Sequence, residues 1–529
     1  MKPRASLMAA MAVSLLVSGS GQRTQAAEAR HPAPAVTAPP TSFFPLVDEA
    51  DRDLARQFYQ KYVDVQGLPV VAAAEVADEA LHRTYEIVSH MLAGRPDVLE
   101  TMIKNGMYLI IIGKEQVYTD MPEYRHHPNP AYVNERVRGT GGRPTSFGEE
   151  NLLSQPIDRY DDESIAVHEF CHTIDSALES MDADWPERLR RAYRAALDKG
   201  LWKLTYAASN EAEFWAELSQ SYFDCNRVNN WNHGPIGTRE QLKAYDPDSY
   251  ELIRSTFNLG AGQEWRYEWR QALPMVGAPP ASFKVDPWYT QFTWGRELTI
   301  LGRGATDEAM LKANEIVRRA FAYRHDILKA LIADGVKLVV LGRGEALTDL
   351  PEVQRLVGQP GFDPLVRFLD YTPENRLLVV AEENVLGDVQ APRVGSCQVL
   401  RGLARAVYGV TAGRPVDPGW DDRGDDVQQY ELRVQRLDVR FGQSLRALWA
   451  GARSEGRWQG TSAIHDPLAY WTTGMLAYFD ALGQDPPPGG AAQGVTTREL
   501  LRDYDVDLHR LVHETMAFDG RVDWRRRPR

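Results

Sequence analysis

The chain has 529 residues, with 73 acidic against 60 basic side chains and a formal net charge of −13. That length is enough for two or more domains, and that charge balance argues against nucleic acid as the main partner, since phosphate binding needs a basic surface. Cys171, Cys225 and Cys397 are the three cysteines, too few and odd in number for a disulfide framework or a cysteine-built zinc cluster.

At the N-terminus Lys2 and Arg4 precede an apolar run from Leu7 to Val17, and small residues follow, with Thr24-Gln25-Ala26 as a cleavage site. Residues 1–27 therefore read as a signal peptide and place the protein outside the cell, in the periplasm or in the cell envelope. The run is too short to span a bilayer and no other stretch qualifies, so no stable membrane insertion is expected. Residues 28–46, rich in proline and alanine, read as a flexible spacer.

A helical pattern near 77–104 leads into a β-rich run at 107–113, and a helix-rich part follows, giving an α+β domain over 47–262. Between them, Tyr124 to Arg143 carries prolines and glycines and reads as an irregular cleft wall. His126 and His127 within it read as solvated loop histidines.

Residues 168–172 are His168-Glu169-Phe170-Cys171-His172. On a helix, positions i and i+4 share a face, so both histidines can hold one metal ion while Glu169 takes a proton from metal-bound water. Asp161, Asp162, Glu163 and Ser164 supply capping oxygens and negative charge at the start of that helix. Ile165, Phe170, Ile174 and Ala177 form its buried stripe. Asp175 stands one turn beyond His172, where it can orient a ligand histidine or sit solvated. Cys171 points away from the histidines and reads as packing. A catalytic zinc takes a third protein ligand, and Asn210-Glu211-Ala212-Glu213-Phe214-Trp215-Ala216-Glu217 offers Glu211, Glu213 and Glu217. Glu213 has an alternative role in a capping box with Asn210.

Residues 258–285, with Gly260, Gly262, Pro279 and Pro280, read as the inter-domain connection, the linker itself at 263–284. Beyond it the chain is written a second time, over 285–529. Asp78-Glu79-Ala80-Leu81 recurs as Asp307-Glu308-Ala309-Met310, and the Gly106 to Gly113 run recurs as Gly335 to Gly342. Thr119-Asp120-Met121-Pro122-Glu123 recurs as Thr348-Asp349-Leu350-Pro351-Glu352, and Glu149-Glu150-Asn151 as Glu382-Glu383-Asn384. Counted from that last match, His168 and His172 fall on Arg401 and Arg405 and Glu169 falls on Gly402, while the apolar pattern survives at Leu400, Leu403 and Val407. With Trp215 set on Trp471, Glu213 falls on Ala469 and Glu217 on Thr473. The second copy keeps the packing pattern and lacks every candidate ligand. Its Trp458, Tyr470 and Trp471 read as buried aromatics. The closing Arg525 to Arg529 reads as a solvated tail.

The run from His168 to Asp175, followed by Tyr206 to Glu217, resembles the lethal-factor-like zinc peptidases, the family of anthrax lethal factor and the Pro-Pro endopeptidases. The resemblance covers Phe44 to Gly260 and includes the later segment Tyr245 to Tyr250. It implies two tandem zincin-like domains, the first catalytic and the second degenerate. It further implies Zn2+ bound by His168, His172 and Glu213, with Glu169 as general base and Tyr206 as the hydroxyl that supports the transition state. Ser462 stands at the Tyr206 position of the second copy. The activity implied is hydrolysis of peptide bonds in a peptide or protein substrate. The alternatives are a catalytically weak or inactive zincin-fold binding or structural protein of the cell envelope, and hydrolysis of a non-peptide bond with the same ligands.

Overall fold

The computed structural model describes residues 34–526 apart from 131–132, 135–136, 204, 228–231, 271–273, 359–361, 373, 389–394, 412–425, 484–493 and 518–523. The expected signal peptide and the end of the Arg-rich tail lie outside the described residues. Within them the fold is mixed α+β, built on two small sheets.

In the first half, β1 (Lys61–Val65) and β2 (Leu68–Ala72) form an antiparallel hairpin. Its two-residue turn, Gln66-Gly67, has positive φ at both positions, the twist-matched geometry that short hairpins favour. Helices α1 (Asp78–Met91) and α2 (Pro96–Lys104) then carry the chain to β3 (Leu109–Ile112), parallel to β2. The short β4 (Gly139–Thr140) and β5 (Thr145–Gly148) complete the order β1-β2-β3-β5-β4, with β4 antiparallel at the edge. Along β3, Leu109 and Ile111 face the helices while Ile110 and Ile112 face Phe43, Phe44 and Tyr59. Both faces are covered, which is why this strand is apolar at every position. Helices α3 (Ile165–Met181) and α4 (Glu211–Tyr222) close the helical side.

The second half repeats the plan. An antiparallel hairpin of β6 (Gln291–Gly295) and β7 (Leu298–Gly302) leads through α5 (Asp307–Ala320) and α6 (His325–Ala333) to β8 (Lys337–Leu341). β9 (Leu377–Ala381) then lies parallel to β8, in the order β6-β7-β8-β9. Helices α7 (Gln398–Thr411) and α8 (Pro467–Tyr478) stand where α3 and α4 stand in the first half.

The likeness extends to single hydrogen bonds. Asn151 Oδ1 accepts from the Ile165 N–H at 2.8 Å, and Asn384 Oδ1 from the Gln398 N–H at 2.8 Å. Trp215 Nε1 donates to the Cys171 carbonyl at 2.8 Å, and Trp471 Nε1 to the Ala404 carbonyl at 2.9 Å. Trp202 and Trp458 donate likewise to Asp246 and Asp505. These bonds fix the register between the halves as the sequence repeat has it, with His168 opposite Arg401 and Glu213 opposite Ala469. Leu400, Leu403 and Val407 are buried, as are Trp458, Tyr470 and Trp471.

Three segments differ from the sequence expectation. Phe43 and Phe44, assigned to the spacer, are buried in the core of the first sheet's outer face. Trp265 and Tyr267, assigned to the linker, pack into the first half, where the Tyr267 N–H donates to the Phe223 carbonyl at 2.8 Å. Large aromatic side chains that find an apolar face override local loop composition. The Arg525 side chain pairs with Glu499 at 2.6 Å, and Arg526 donates to the Asn384 carbonyl at 2.6 Å, so the start of the tail is packed. Among the described residues no helix is long and apolar enough to cross a membrane.

Candidate metal centre

Helix α3 begins at Ser164, whose hydroxyl accepts from the Val167 N–H, a side-chain cap on an otherwise free donor. Ile165, Phe170, Cys171, Ile174 and Ala177 are buried, so packing sets the rotation of the helix and turns His168, Glu169 and His172 to one cleft. Asn210 caps α4 by accepting from the Glu213 N–H at 2.9 Å. The Glu213 side chain does not close a capping box. It turns inward, and with Glu217 and Gln220, one and two turns further on, it faces α3.

Three atoms converge. His168 Nε2 and His172 Nε2 are 3.2 Å apart. Glu213 Oε2 lies 3.2 Å from the first and 3.6 Å from the second. Ligand bonds of about 2.0–2.1 Å place two tetrahedral ligand atoms roughly 3.3–3.4 Å apart, so these separations fit one small divalent cation. The electrostatics point the same way. Burial lowers the His168 pKa, but Glu213, Glu217 and Glu169 prevail and push it well above the usual histidine range. Burial raises the Glu213 pKa, yet the two histidines hold it far below the usual carboxylate range. The cluster favours a cation at its centre.

Glu169 stands beside this point. Burial raises its pKa, with His168 and His172 opposing and Glu213 adding to the rise, a shift in the direction that suits a general base working near neutrality. The half-buried Tyr206 lies on the other side, its ring near parallel to that of His168 at 6.5 Å between centroids. The cleft is lined by Gly139, Thr140, Gly141, Gly142, His168, Glu169, His172, Tyr206 and Glu213, among others. All five residues singled out from the sequence (His168, Glu169, His172, Tyr206 and Glu213) line it. Glu211 does not; it lies 3.7 Å from Arg190.

The partners around the cluster were not legible in advance. His168 Nδ1 lies 3.2 Å from Gln220 Oε1, and Gln220 Nε2 donates to Glu163 Oε2 at 3.1 Å and to the Ser164 carbonyl at 3.1 Å. Asn232 donates to the other Glu163 oxygen at 2.8 Å. The fully buried Glu217 sits 3.6 Å from His168 Nδ1, its pKa raised by burial and by Glu163. Asp175, expected either to orient a ligand or to be solvated, is half-buried at the edge of the cleft and accepts from Trp185 Nε1 at 2.6 Å. Asp161, Asp162 and Glu163 do not cap α3. Glu163 joins the Gln220 and Asn232 amides, and the two aspartates pair with arginines of the second half.

Gly139 and Gly141 let β4 pass over the helix. A Cβ at 139 stands 2.4 Å from Ile165 Cγ2, and one at 141 stands 2.4 Å from His172 Cβ. Any side chain here pushes the strand off the cleft. Sequence reading took these glycines as signs of an irregular loop. His126 and His127 lie outside the cleft, His127 against the Tyr118 ring. Cys171 is buried and free, its thiol pKa raised by burial.

In the second half the positions of His168 and His172 hold Arg401 and Arg405, both against Asp370 at 3.0 and 3.7 Å. No protein-family model matches the chain, and no curated protein matches it.

Proposed function

We propose that this chain is an exported zinc-dependent endopeptidase made of two tandem zincin-like domains of the lethal-factor-like type, the first catalytic and the second degenerate. The observation that carries the reading is the convergence of His168 Nε2, His172 Nε2 and Glu213 Oε2 within 3.6 Å of one another beside Glu169 and Tyr206. His168, His172 and Glu213 would hold the zinc, which would supply Lewis acidity toward water and a peptide carbonyl. The Glu169 carboxylate accepts the proton of the attacking water and delivers it to the leaving amine. The Tyr206 hydroxyl donates to the oxyanion that develops, an interaction worth about 2–4 kcal/mol when preorganised. The cleft beneath β4 holds the peptide, and bulk solvent is kept from the buried side of His168.

The test has two parts. Purified full-length protein is expected to carry about one zinc per chain and to cleave members of a peptide library, and Glu169→Gln is expected to keep the zinc and lose the cleavage. Absence of zinc, or an equally active Glu169→Gln, rejects the reading. Zinc without cleavage of any library member favours instead a metal-bearing binding protein of the cell envelope.

A further inference from the structure

The segment from Pro156 to Asp162, just ahead of α3, is a wedge between the two halves. Ile157 packs on the apolar cluster of Tyr289, Phe292 and Trp294 in the second half, and the Arg159 guanidinium lies 5.7 Å from the Trp294 ring centre. At the end of the wedge Asp161 and Asp162 are buried, and both carboxylates pair with the fork of Arg318 from α5. Arg318 is itself buried and fixed by Asn314 Oδ1 at 2.6 Å and the Trp294 carbonyl at 3.0 Å. Arg296 adds a contact to Asp162 at 3.3 Å.

From there the path to the cluster is short and wholly buried. Asp162 is followed by Glu163 and Ser164; the Arg227 N–H donates to the Asp162 carbonyl at 2.7 Å, and the Ser164 N–H to the Cys225 carbonyl at 3.1 Å. Glu163 holds Gln220, and Gln220 faces His168 Nδ1.

The lock is one-sided. Aligning Asp307 with Asp78 puts Ser89 at the Arg318 position, and aligning the two hairpins puts Gln66 at the Arg296 position. The hairpin turn of the second half keeps the positive-φ geometry of its counterpart but has Glu297 where the first half has Gly67. Arg296 and Glu297 have φ of 49° and 72°, left-handed values that cost non-glycine residues energy and persist only where surroundings hold them. Asp162 and the Ala322 carbonyl hold Arg296, and Lys329 holds Glu297.

We propose that Arg318, supported by Arg296, is a positioning residue for the metal centre: the second half, which has lost the ligands, sets the Asp161–Ser164 segment and through Glu163 and Gln220 the orientation of His168. The inference rests on the reading that His168, His172 and Glu213 hold a metal. A bidentate arginine between two carboxylates fixes position as well as charge, which lysine at the same place does not.

The experiment uses full-length protein, with zinc affinity measured by competition against a chromogenic chelator and the visible spectrum of the cobalt(II) form as a report on ligand geometry. Arg318→Met is expected to bind zinc about tenfold more weakly, the lower end of the range for outer partners of a metal ligand, with an altered cobalt spectrum. Arg318→Lys, which keeps the charge and loses the fork, recovers part of the affinity. The double variant Asp161→Asn/Arg318→Met removes one charge of each sign and leaves Asp162 paired with Arg296, so it relieves the unpaired buried carboxylate that Arg318→Met alone creates. It is expected to keep the weak affinity. Zinc affinity within twofold of wild type and an unchanged cobalt spectrum in Arg318→Met, or full recovery in the double variant, overturns the proposal and leaves only a charge-balancing role. Wild-type protein that takes up neither metal overturns the metal reading itself, which separates the two failures.

Discussion

Gln220 Oε1 lies 3.2 Å from His168 Nδ1 while the Gln220 amide nitrogen is committed to Glu163 Oε2 and the Ser164 carbonyl. With its donor face spent, Gln220 offers His168 only an acceptor. That fixes the tautomer with the proton on Nδ1 and the Nε2 lone pair free for a cation. Gln220→Leu is expected to leave the fold intact and to weaken zinc binding about 10–100-fold in chelator competition. An unchanged affinity means that packing and the Glu217 carboxylate, 3.6 Å from Nδ1, orient His168 without Gln220.

Glu169 and Tyr206 separate by what each loses. Glu169→Gln is expected to cost at least about a hundredfold in kcat with bound zinc retained, the scale of a missing general base. Tyr206→Phe is expected to cost about 10²–10³ in kcat with little change in KM, the mark of a group used in the transition state and not in substrate binding. Steady-state kinetics on one cleavable peptide decides both, and a Tyr206→Phe effect confined to KM assigns the hydroxyl to substrate binding and not to the transition state.

Gly141→Ala introduces a Cβ 2.4 Å from His172 Cβ, with backbone of Glu169 at 3.2 Å. Neither neighbour is the end of a flexible chain, so the strand must move. About 1–3 kcal/mol of stability is expected to go with it, together with most of the activity. Gly344→Ala, where an added Cβ meets nothing within 4 Å, is the matched control. Urea titration of both variants measures the difference, and equal midpoints argue that β4 does not rest on α3.

The buried ring of His233 lies near Asp162 and Arg296, and burial depresses its pKa to about 4. The unfolded chain titrates at about 6.5, so between these values the unfolded state binds the extra proton. Stability from this residue is present above about 6.5 and is lost as pH falls toward 4, by at most about 3 kcal/mol. His233→Leu has no such proton to take up. Unfolding free energies at pH 6.5 and 4.5 are expected to fall further in wild type than in the variant. Parallel losses exclude a neutral buried His233.

The strands and the His168–His172 cluster were legible because their signals are local. Apolar runs such as Leu109 to Ile112 name a covered strand, and a histidine pair at i and i+4 needs only one helix. The repeat supplied the next layer, since Pro467, Ala469 and Thr473 opposite Glu211, Glu213 and Glu217 showed the carboxylates leaving with the histidines, and only the family resemblance singled out Glu213. What stayed hidden depends on distant partners. Asp161 and Asp162 have the composition of a helix start, but their partner Arg318 is some 150 residues away in sequence. Asp175 is drawn to an indole N–H that no spacing announces. Gln220 is a neutral amide, and only its place on the Glu213–Glu217 face hints at a role. Trp265 and Tyr267 sit among glycines and charges and read as linker until an apolar surface is there to receive them.

The hairpin turn at Arg296-Glu297 also bears on how this protein can be divided. A chain cut between the halves keeps Asp161 and Asp162 on one piece and leaves Arg318 and a strained turn on the other, each with a buried charge turned out to water. The two pieces hold complementary faces of unlike kind, so they are partners for each other and poor partners for themselves. Mixed as separate polypeptides, they carry the information to re-pair as a heterodimer, while two copies of either piece do not.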